Sequence, residues 1–236
     1  MVANGVTGAM YKGHNPEYNE ELRKTGDDWP GTCGHTMVGF VRLNNIKTLI
    51  EDTLTKGVPG DFMELGVWRG GSCIYAAAVY LTLGVNRDIY VFDAFKSIPA
   101  YTVSTDYLCV SQEQVRQNFD NYGLLADNIK FKKGRFEVTL KEFASESPNT
   151  TLAVLRLDSN FYDSYMYSFY YALPFLQPGG YLIFDDIISH TDVARAWNDF
   201  QRWNNLSYEL IQIDHHSAFL QIKAHVVPDF SKWNTG

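Results

Sequence analysis

The chain has little cysteine. Among its 236 residues only Cys33, Cys73 and Cys109 carry a thiol, and none falls in a C-x-x-C pair. An odd number of widely spaced thiols argues against a disulfide frame or a zinc site, and for reduced cysteines in a cytoplasmic protein. No apolar run approaches the roughly 20 residues of a membrane span. The opening Met-Val-Ala-Asn-Gly-Val lacks the charged and apolar regions of a signal peptide. Basic runs are missing as well: 20 Lys and Arg face 27 Asp and Glu, a net charge of −7, which speaks against a nucleic-acid partner. There is neither an internal repeat nor a low-complexity segment. An apolar fraction of 45% in a chain of this length fits one α/β domain with extensions.

One further absence is more informative. A dinucleotide-binding fingerprint needs G-x-G-x-x-G, whose second glycine lets the backbone approach a pyrophosphate. The stretch Asp61-Phe-Met-Glu-Leu-Gly-Val-Trp-Arg-Gly-Gly-Ser72 has Trp68 at that position. It still reads as an apolar strand that ends in an acid and a glycine, turns, and opens an apolar helix. Open α/β sheets build cofactor crevices in this way at the carboxyl ends of their strands. The pattern E-x-G-x-x-x-G resembles the first motif of S-adenosylmethionine-dependent methyltransferases, whose cofactor carries no phosphate. A glycine-rich turn without a ligand is the plain alternative.

Residues 1–35, rich in glycine, asparagine and charge, read as a loop, a lid or a disordered tail. Leu43, Ile46, Ile50 and Leu54 recur at helical spacing within 36–56, and Gly57-Val-Pro-Gly60 stops that helix. We therefore expect an N-terminal lid and helix over 1–56 and the main domain over 57–236. Short apolar runs predict strands at 61–66, 88–93, 129–132, 152–157 and 181–185. Helical patterns alternate with them at 71–83, 111–122, 137–145, 162–176 and 190–204, which predicts a parallel sheet covered on both faces. Tyr208–Ile213 and Ala218–Ile222 are separated by four residues, too few for a parallel crossover, so they form an antiparallel pair. A mostly parallel seven-stranded sheet closed by a C-terminal antiparallel hairpin is the class I methyltransferase architecture.

Three acids stand where strands end: Asp158 after Leu-Arg-Leu, and Asp185-Asp186 after Tyr-Leu-Ile-Phe. Converging carboxylates repel unless a cation is present, and an all-oxygen set suits Mg2+ or a similar hard divalent ion. Such an ion could orient two hydroxyls of a substrate and lower the pKa of one. Alternatively, Asp185-Asp186 caps the next helix and Asp158 faces water. Asp93, after the second strand, has two readings: a ribose hydrogen-bond acceptor or a solvated strand-end acid. His215 and His216 are candidate bases. Adjacent on a strand turn, they are expected to point to opposite sides, and a solvent-exposed turn explains them equally. His35 and His190 are undecided.

Together the motifs resemble the macrocin O-methyltransferase family. The resemblance is carried by Thr36-Met-Val-Gly39, Arg42-Leu43, Val58-Pro-Gly-Asp61, Gly66-Val-Trp-Arg-Gly-Gly71, Val115-Arg-x-Asn-Phe119, Tyr122-Gly-Leu-Leu125, Leu155-Arg-Leu-Asp158, and Pro178-Gly-Gly180 followed by Asp185-Asp186. It runs from about Trp29 to Ile222. It implies an O-methyltransferase that uses S-adenosylmethionine and a divalent metal, usually Mg2+, held by Asp158, Asp185 and Asp186, with Asp158 as general base. By the same resemblance Glu64, Gly66, Ser72, Asp93 and Phe136 surround the cofactor, with Thr36 and Met37 contributing from the preceding segment. It also implies a mobile lid before Thr36, a small-molecule acceptor containing a sugar, and a homo-oligomer such as a dimer. The chain departs from the family at Asn160, at Arg135 in place of tryptophan, and in Asp93-Ala-Phe-Lys-Ser-Ile-Pro99, where D-S-F-x-G-x-P is usual. Competing readings are a catechol-type methyltransferase, a nicotinamide-dependent oxidoreductase disfavoured by Trp68, and a non-catalytic cofactor-binding protein.

Overall fold

The computed structural model describes residues 1–96 and 106–233; Ser97, Ile98 and Pro99 of the altered D-S-F-x-G-x-P segment lie outside them. In chain order the elements are α1 (Val2–Val6), α2 (Glu20–Thr25), α3 (Phe40–Thr55), β1 (Asp61–Leu65), α4 (Gly71–Thr82), β2 (Ile89–Asp93), α5 (Gln112–Asn121), β3 (Ile129–Lys133), α6 (Phe136–Glu146), β4 (Leu152–Leu157), α7 (Tyr162–Tyr171), β5 (Leu176–Phe184), α8 (Thr191–Trp203), β6 (Ile211–Gln212) and β7 (Ala218–Gln221). The strands follow the order β3-β2-β1-β4-β5-β7-β6. The chain divides into two compact units, Met1–Ile50 with Gly66–Gly134, and Glu51–Leu65 with Arg135–Gly236.

In the first unit β2 and β3 pair in parallel, from Ile89↔Ile129 to Asp93↔Lys133. Helix α4 buries Ile74, Ala76, Val79 and Tyr80. Ser111 caps α5 by accepting the Gln114 N–H at 3.1 Å, which satisfies one of the otherwise orphaned first-turn donors. Residues 1–35 are more ordered than their composition predicts. Asn19 caps α2 by accepting the N–H groups of Glu21 and Leu22 at 3.0 and 3.1 Å. Val6, Thr7 and Arg23 are fully buried, and Arg23 pairs with Asp28 at 3.1 Å. Helices of five or six residues carry no readable periodicity and hold only through tertiary contacts.

In the second unit β1, β4 and β5 run parallel, and β7 and β6 continue antiparallel. All six residues of β4 are buried, as expected of a strand covered on both faces. Val193, Ala196, Trp197 and Phe200 form the buried stripe of α8. Trp197 meets Phe169 of α7 and Phe184 of β5 at centroid distances of 5.2 and 5.1 Å. Burial of each such ring contributes roughly 1.5–3 kcal/mol.

Three boundaries differ from expectation. Helix α7 stops at Tyr171 instead of near 176, and Leu173–Phe175 forms a 3-10 turn, because Pro174 has no N–H and cannot continue an α-helix. Strand β5 begins at Leu176 and carries Pro178-Gly-Gly180 as an irregularity between Leu176 and Tyr181. The expected strand 208–213 shrinks to Ile211–Gln212, and Asp214 Oδ1 closes the turn by accepting the N–H groups of His216 and Ser217, both at 2.9 Å.

Candidate active site

The glycine turn lies in the first unit. Gly66 sits at φ 92°, a conformation open mainly to glycine, and donates its N–H to the Phe92 carbonyl at 2.9 Å. Asp93, at the end of β2, accepts the next two N–H groups through Oδ2: Val67 at 2.9 Å and Trp68 at 3.2 Å. Its Oδ1 accepts the Phe95 N–H at 2.9 Å. Burial pushes the Asp93 carboxyl up, opposed by these N–H groups. Asp93 is therefore no solvated strand-end acid. It braces the turn.

Helix α4 opens behind Gly70, which offers no side-chain cap. The Gly71 N–H meets the His35 carbonyl at 2.8 Å. A Cβ on Gly71 would sit 2.5 Å from that oxygen and 2.8 Å from Thr36 Cβ, so only glycine lets the two segments approach. Thr36 is buried and accepts the Val38 N–H at 3.2 Å, and the Met37 carbonyl receives Arg23 Nη2. The structure thus brings Thr36 beside the start of α4, where Ser72 is buried, and Gly66 beside β2.

Trp68, at φ 51°, donates Nε1–H to the Tyr107 carbonyl at 2.8 Å. The Arg69 guanidinium lies 4.1 Å from the Trp68 ring and 5.8 Å from the Trp29 ring. Its Nη1 donates to the carbonyls of Gly31 at 2.8 Å and Gly34 at 2.7 Å. The turn thereby fastens the segment that leads to Thr36. Nothing in the sequence reading singled out Arg69, because hydrogen bonds to distant backbone carbonyls leave no local pattern.

The strand-end acids belong to the second unit. Glu64 of β1 and Arg156 of β4 are register partners, and Arg156 faces Ile183 of β5. Side chains alternate with period two, so Asp158, two residues past Arg156, and Asp185, two past Ile183, project from that same sheet face. The ladder continues beyond the strands: the Asp158 N–H meets the Leu65 carbonyl at 2.9 Å and the Asp185 N–H meets the Leu157 carbonyl at 3.0 Å. Carboxylate oxygens of Asp158, Asp185 and Asp186 lie within 4.8 Å of one another.

Arg156 sits among these acids and is 1% exposed. Its Nη1 donates to Glu64 Oε1 and, at 3.0 Å, to Asp158 Oδ2; its Nη2 donates to Asp185 Oδ1. Burial opposes its charge, but Asp185, Glu64 and Asp158 outweigh that and keep it protonated. Burial and the neighbouring Asp185 push the Asp158 carboxyl well above the usual carboxylate range, against the pull of Arg156. Glu64, expected at the cofactor, pairs with Arg156. Phe136, also expected there, is 9% exposed in the first turn of α6. Arg156 was missed in the sequence, although a lone arginine inside a wholly buried strand must have carboxylate partners.

The alternative reading of Asp185-Asp186 as a helix cap does not hold: the N-cap of α8 is His190, with no side-chain cap bond. Ser217 Oγ–H donates to the Asp185 carbonyl. The rings of His215 and His216 pack side by side, with centroids 4.1 Å apart, instead of pointing to opposite sides. His35 contacts the Tyr122 hydroxyl at 3.1 Å, and burial pushes its pKa down to about 4. All three cysteines are free thiols. Among the described residues no helix is long and apolar enough to cross a membrane.

This sheet, with its antiparallel closing strands and a glycine turn before α4, defines a class I S-adenosylmethionine-dependent methyltransferase. A family model described as macrocin O-methyltransferase matches residues 4–222. The chain belongs to that family and is an S-adenosylmethionine-dependent O-methyltransferase. It is 37% identical to demethyldecarbamoylnovobiocin O-methyltransferase of Streptomyces niveus, over 86% of this chain and 81% of that one. Mycinamicin III 3''-O-methyltransferase of Micromonospora griseorubida is 36% identical, over 85% and 83%. The solved structure of the O-methyltransferase NovP is similar with a TM-score of 0.85 at 34% identity, covering 94% of this chain and 96% of that one.

Proposed function

We propose that this chain is a metal-dependent sugar O-methyltransferase that acts on a glycosylated small molecule or a nucleotide-linked sugar. The observation that carries the metal reading is the set of Asp158, Asp185 and Asp186 oxygens within 4.8 Å. Three hard oxygen donors of this kind fit Mg2+ or a similar divalent ion. The sugar acceptor is supported by a relative 37% identical to this chain, whose name specifies 4'-O-methylation of a rhamnosyl tetracenomycin.

In this reading Gly66, Ser72, Thr36 and Met37 hold the methyl donor, Asp93 braces the turn beneath it, Glu64 contributes beside Arg156, and Phe136 adds an apolar wall. A divalent ion held by the three aspartates would supply Lewis acidity that makes an acceptor hydroxyl easier to deprotonate. Asp158 accepts the hydroxyl proton, a role that suits a carboxyl held above the usual carboxylate range by burial and the neighbouring Asp185. The O–CH3 bond forms as the CH3–S+ bond of S-adenosylmethionine breaks, leaving S-adenosylhomocysteine. Residues before Thr36 act as the lid.

The test is a labelled-donor screen of nucleotide sugars, glycosides and catechols, each with Mg2+ and with EDTA. Methylation of a sugar hydroxyl that EDTA abolishes and Mg2+ restores is expected. Undiminished turnover in EDTA would sink the metal reading, and transfer to catechols alone would sink the sugar reading.

A further inference from the structure

We propose that Arg156 is a positioning residue for the metal: its guanidinium fork aims the ligand oxygens of Asp158 and Asp185 and thereby sets the affinity of the site. This inference rests on the metal reading above. The supporting geometry is specific. One buried planar group reaches Glu64, Asp158 and Asp185, which are contributed by the ends of β1, β4 and β5. Arg156 bonds Asp158 through Oδ2 and Asp185 through Oδ1, two of the three carboxylates whose oxygens lie within 4.8 Å of one another, so it restrains how those groups can turn. Arginine suits this task because its donors form a rigid fork, whereas lysine presents one compact charge. Groups that orient metal ligands typically govern metal affinity by about 10–100-fold.

A competing account makes Arg156 only the counter-charge of buried Glu64, since the pair is 1% exposed on both sides. Charge alone separates the two accounts. With all groups ionised, Glu64, Asp158, Asp185 and Asp186 together with Arg156 carry a formal −3. The paired substitution Arg156→Met with Glu64→Gln leaves the three aspartates, again −3, and removes the Glu64 carboxylate together with its buried partner. It removes the aim and preserves the charge.

The experiment measures Mn2+ dissociation constants on the whole chain without methyl donor, from the electron paramagnetic resonance of free Mn2+. We expect the Arg156→Met, Glu64→Gln protein to bind Mn2+ about 10–100-fold more weakly than the wild type. Wild-type affinity in that variant overturns the proposal and leaves Arg156 a counter-ion. If the double variant does not melt cooperatively, Arg156→Lys decides. Its charge is kept and its fork is lost, so weakened binding, with turnover recovered by excess Mg2+, is expected. Unchanged affinity in Arg156→Lys overturns the proposal. The wild-type arm reports on the underlying reading by itself: no Mn2+ binding there removes the metal reading and this inference together. Binding in the wild type that survives every substitution removes this inference alone.

Discussion

Asp93 Oδ2 accepts the backbone N–H of Trp68 at 3.2 Å, and that bond holds a tryptophan in left-handed backbone at φ 51°. The other carboxylate oxygen does the same for Phe95, also at φ 51°. A non-glycine residue in this region costs of order 1–3 kcal/mol and persists only where its surroundings enforce it. The acid at the end of β2 supplies that enforcement on both sides of the turn.

Replacing Asp93 by Ala should therefore destabilise the protein by about 2–4 kcal/mol, the loss of three bonds to a buried carboxylate less the relief of its desolvation. Affinity for S-adenosylhomocysteine should fall with it. Asp93→Asn keeps one oxygen for Val67 and Trp68 and should lose less. Thermal melts and calorimetry read both quantities. A wild-type melting curve for the alanine variant would remove the brace.

Activity and stability should move apart at Asp158. Its carboxyl is pushed well above the usual range by burial and Asp185, so its ionised form is unfavourable in the folded protein. Asp158→Asn should leave the melting temperature unchanged or higher at neutral pH. Turnover should drop about 10²–10⁴-fold, the usual contribution of a general base. A large fall in stability, or near-normal turnover, would refute this assignment.

His35 predicts the acid limb of the stability curve. Its pKa of about 4 lies below the ordinary 6.5, so the unfolded chain takes up this proton first as pH falls. Stability is fully present above about pH 6.5 and declines toward pH 4, by roughly 2–3 kcal/mol for this group after allowing for its partial exposure. Melts at pH 7.5, 6, 5 and 4.5 on the wild type and on His35→Gln should show a shallower decline in the variant. Parallel curves would exclude the assignment.

Gly71→Ala should cost about 1–3 kcal/mol, the range for overpacking a filled contact, because the new methyl would lie 2.5 Å from the His35 carbonyl. Hydrogen exchange should also quicken at the Gly71 amide, whose bond to His35 must lengthen. Protection equal to the wild type would contradict the close approach.

The framework was legible because each strand is a short apolar run with its own stop. Strand β1 ends at Leu65 before glycine, β2 ends at Asp93, and β4 fills 152–157 as expected. The antiparallel closure followed from a four-residue link alone. Pro174 was the visible reason for the early end of α7, but the apolar pattern around it looked continuous. The amino-terminal 35 residues were illegible because α1 and α2 are too short for a period. Of the candidate site, the three aspartates and the glycine turn could be read at strand ends. The partners of Arg156, Arg69 and Asp93 lie 2–92 positions away, and only the register of neighbouring strands or a long-range backbone contact brings most of them together.

The carbonyl of Val6 receives the N–H groups of both His35 and Thr36, at 2.6 and 3.0 Å. His35 in turn supports the first residue of α4 through its own carbonyl. Helix α1 is thus two hydrogen bonds from the glycine turn before α4. Trimming those residues, or fusing a bulky tag to them, would loosen that turn before any loss of the sheet, and if the turn holds the methyl donor the effect would be read as weaker cofactor retention.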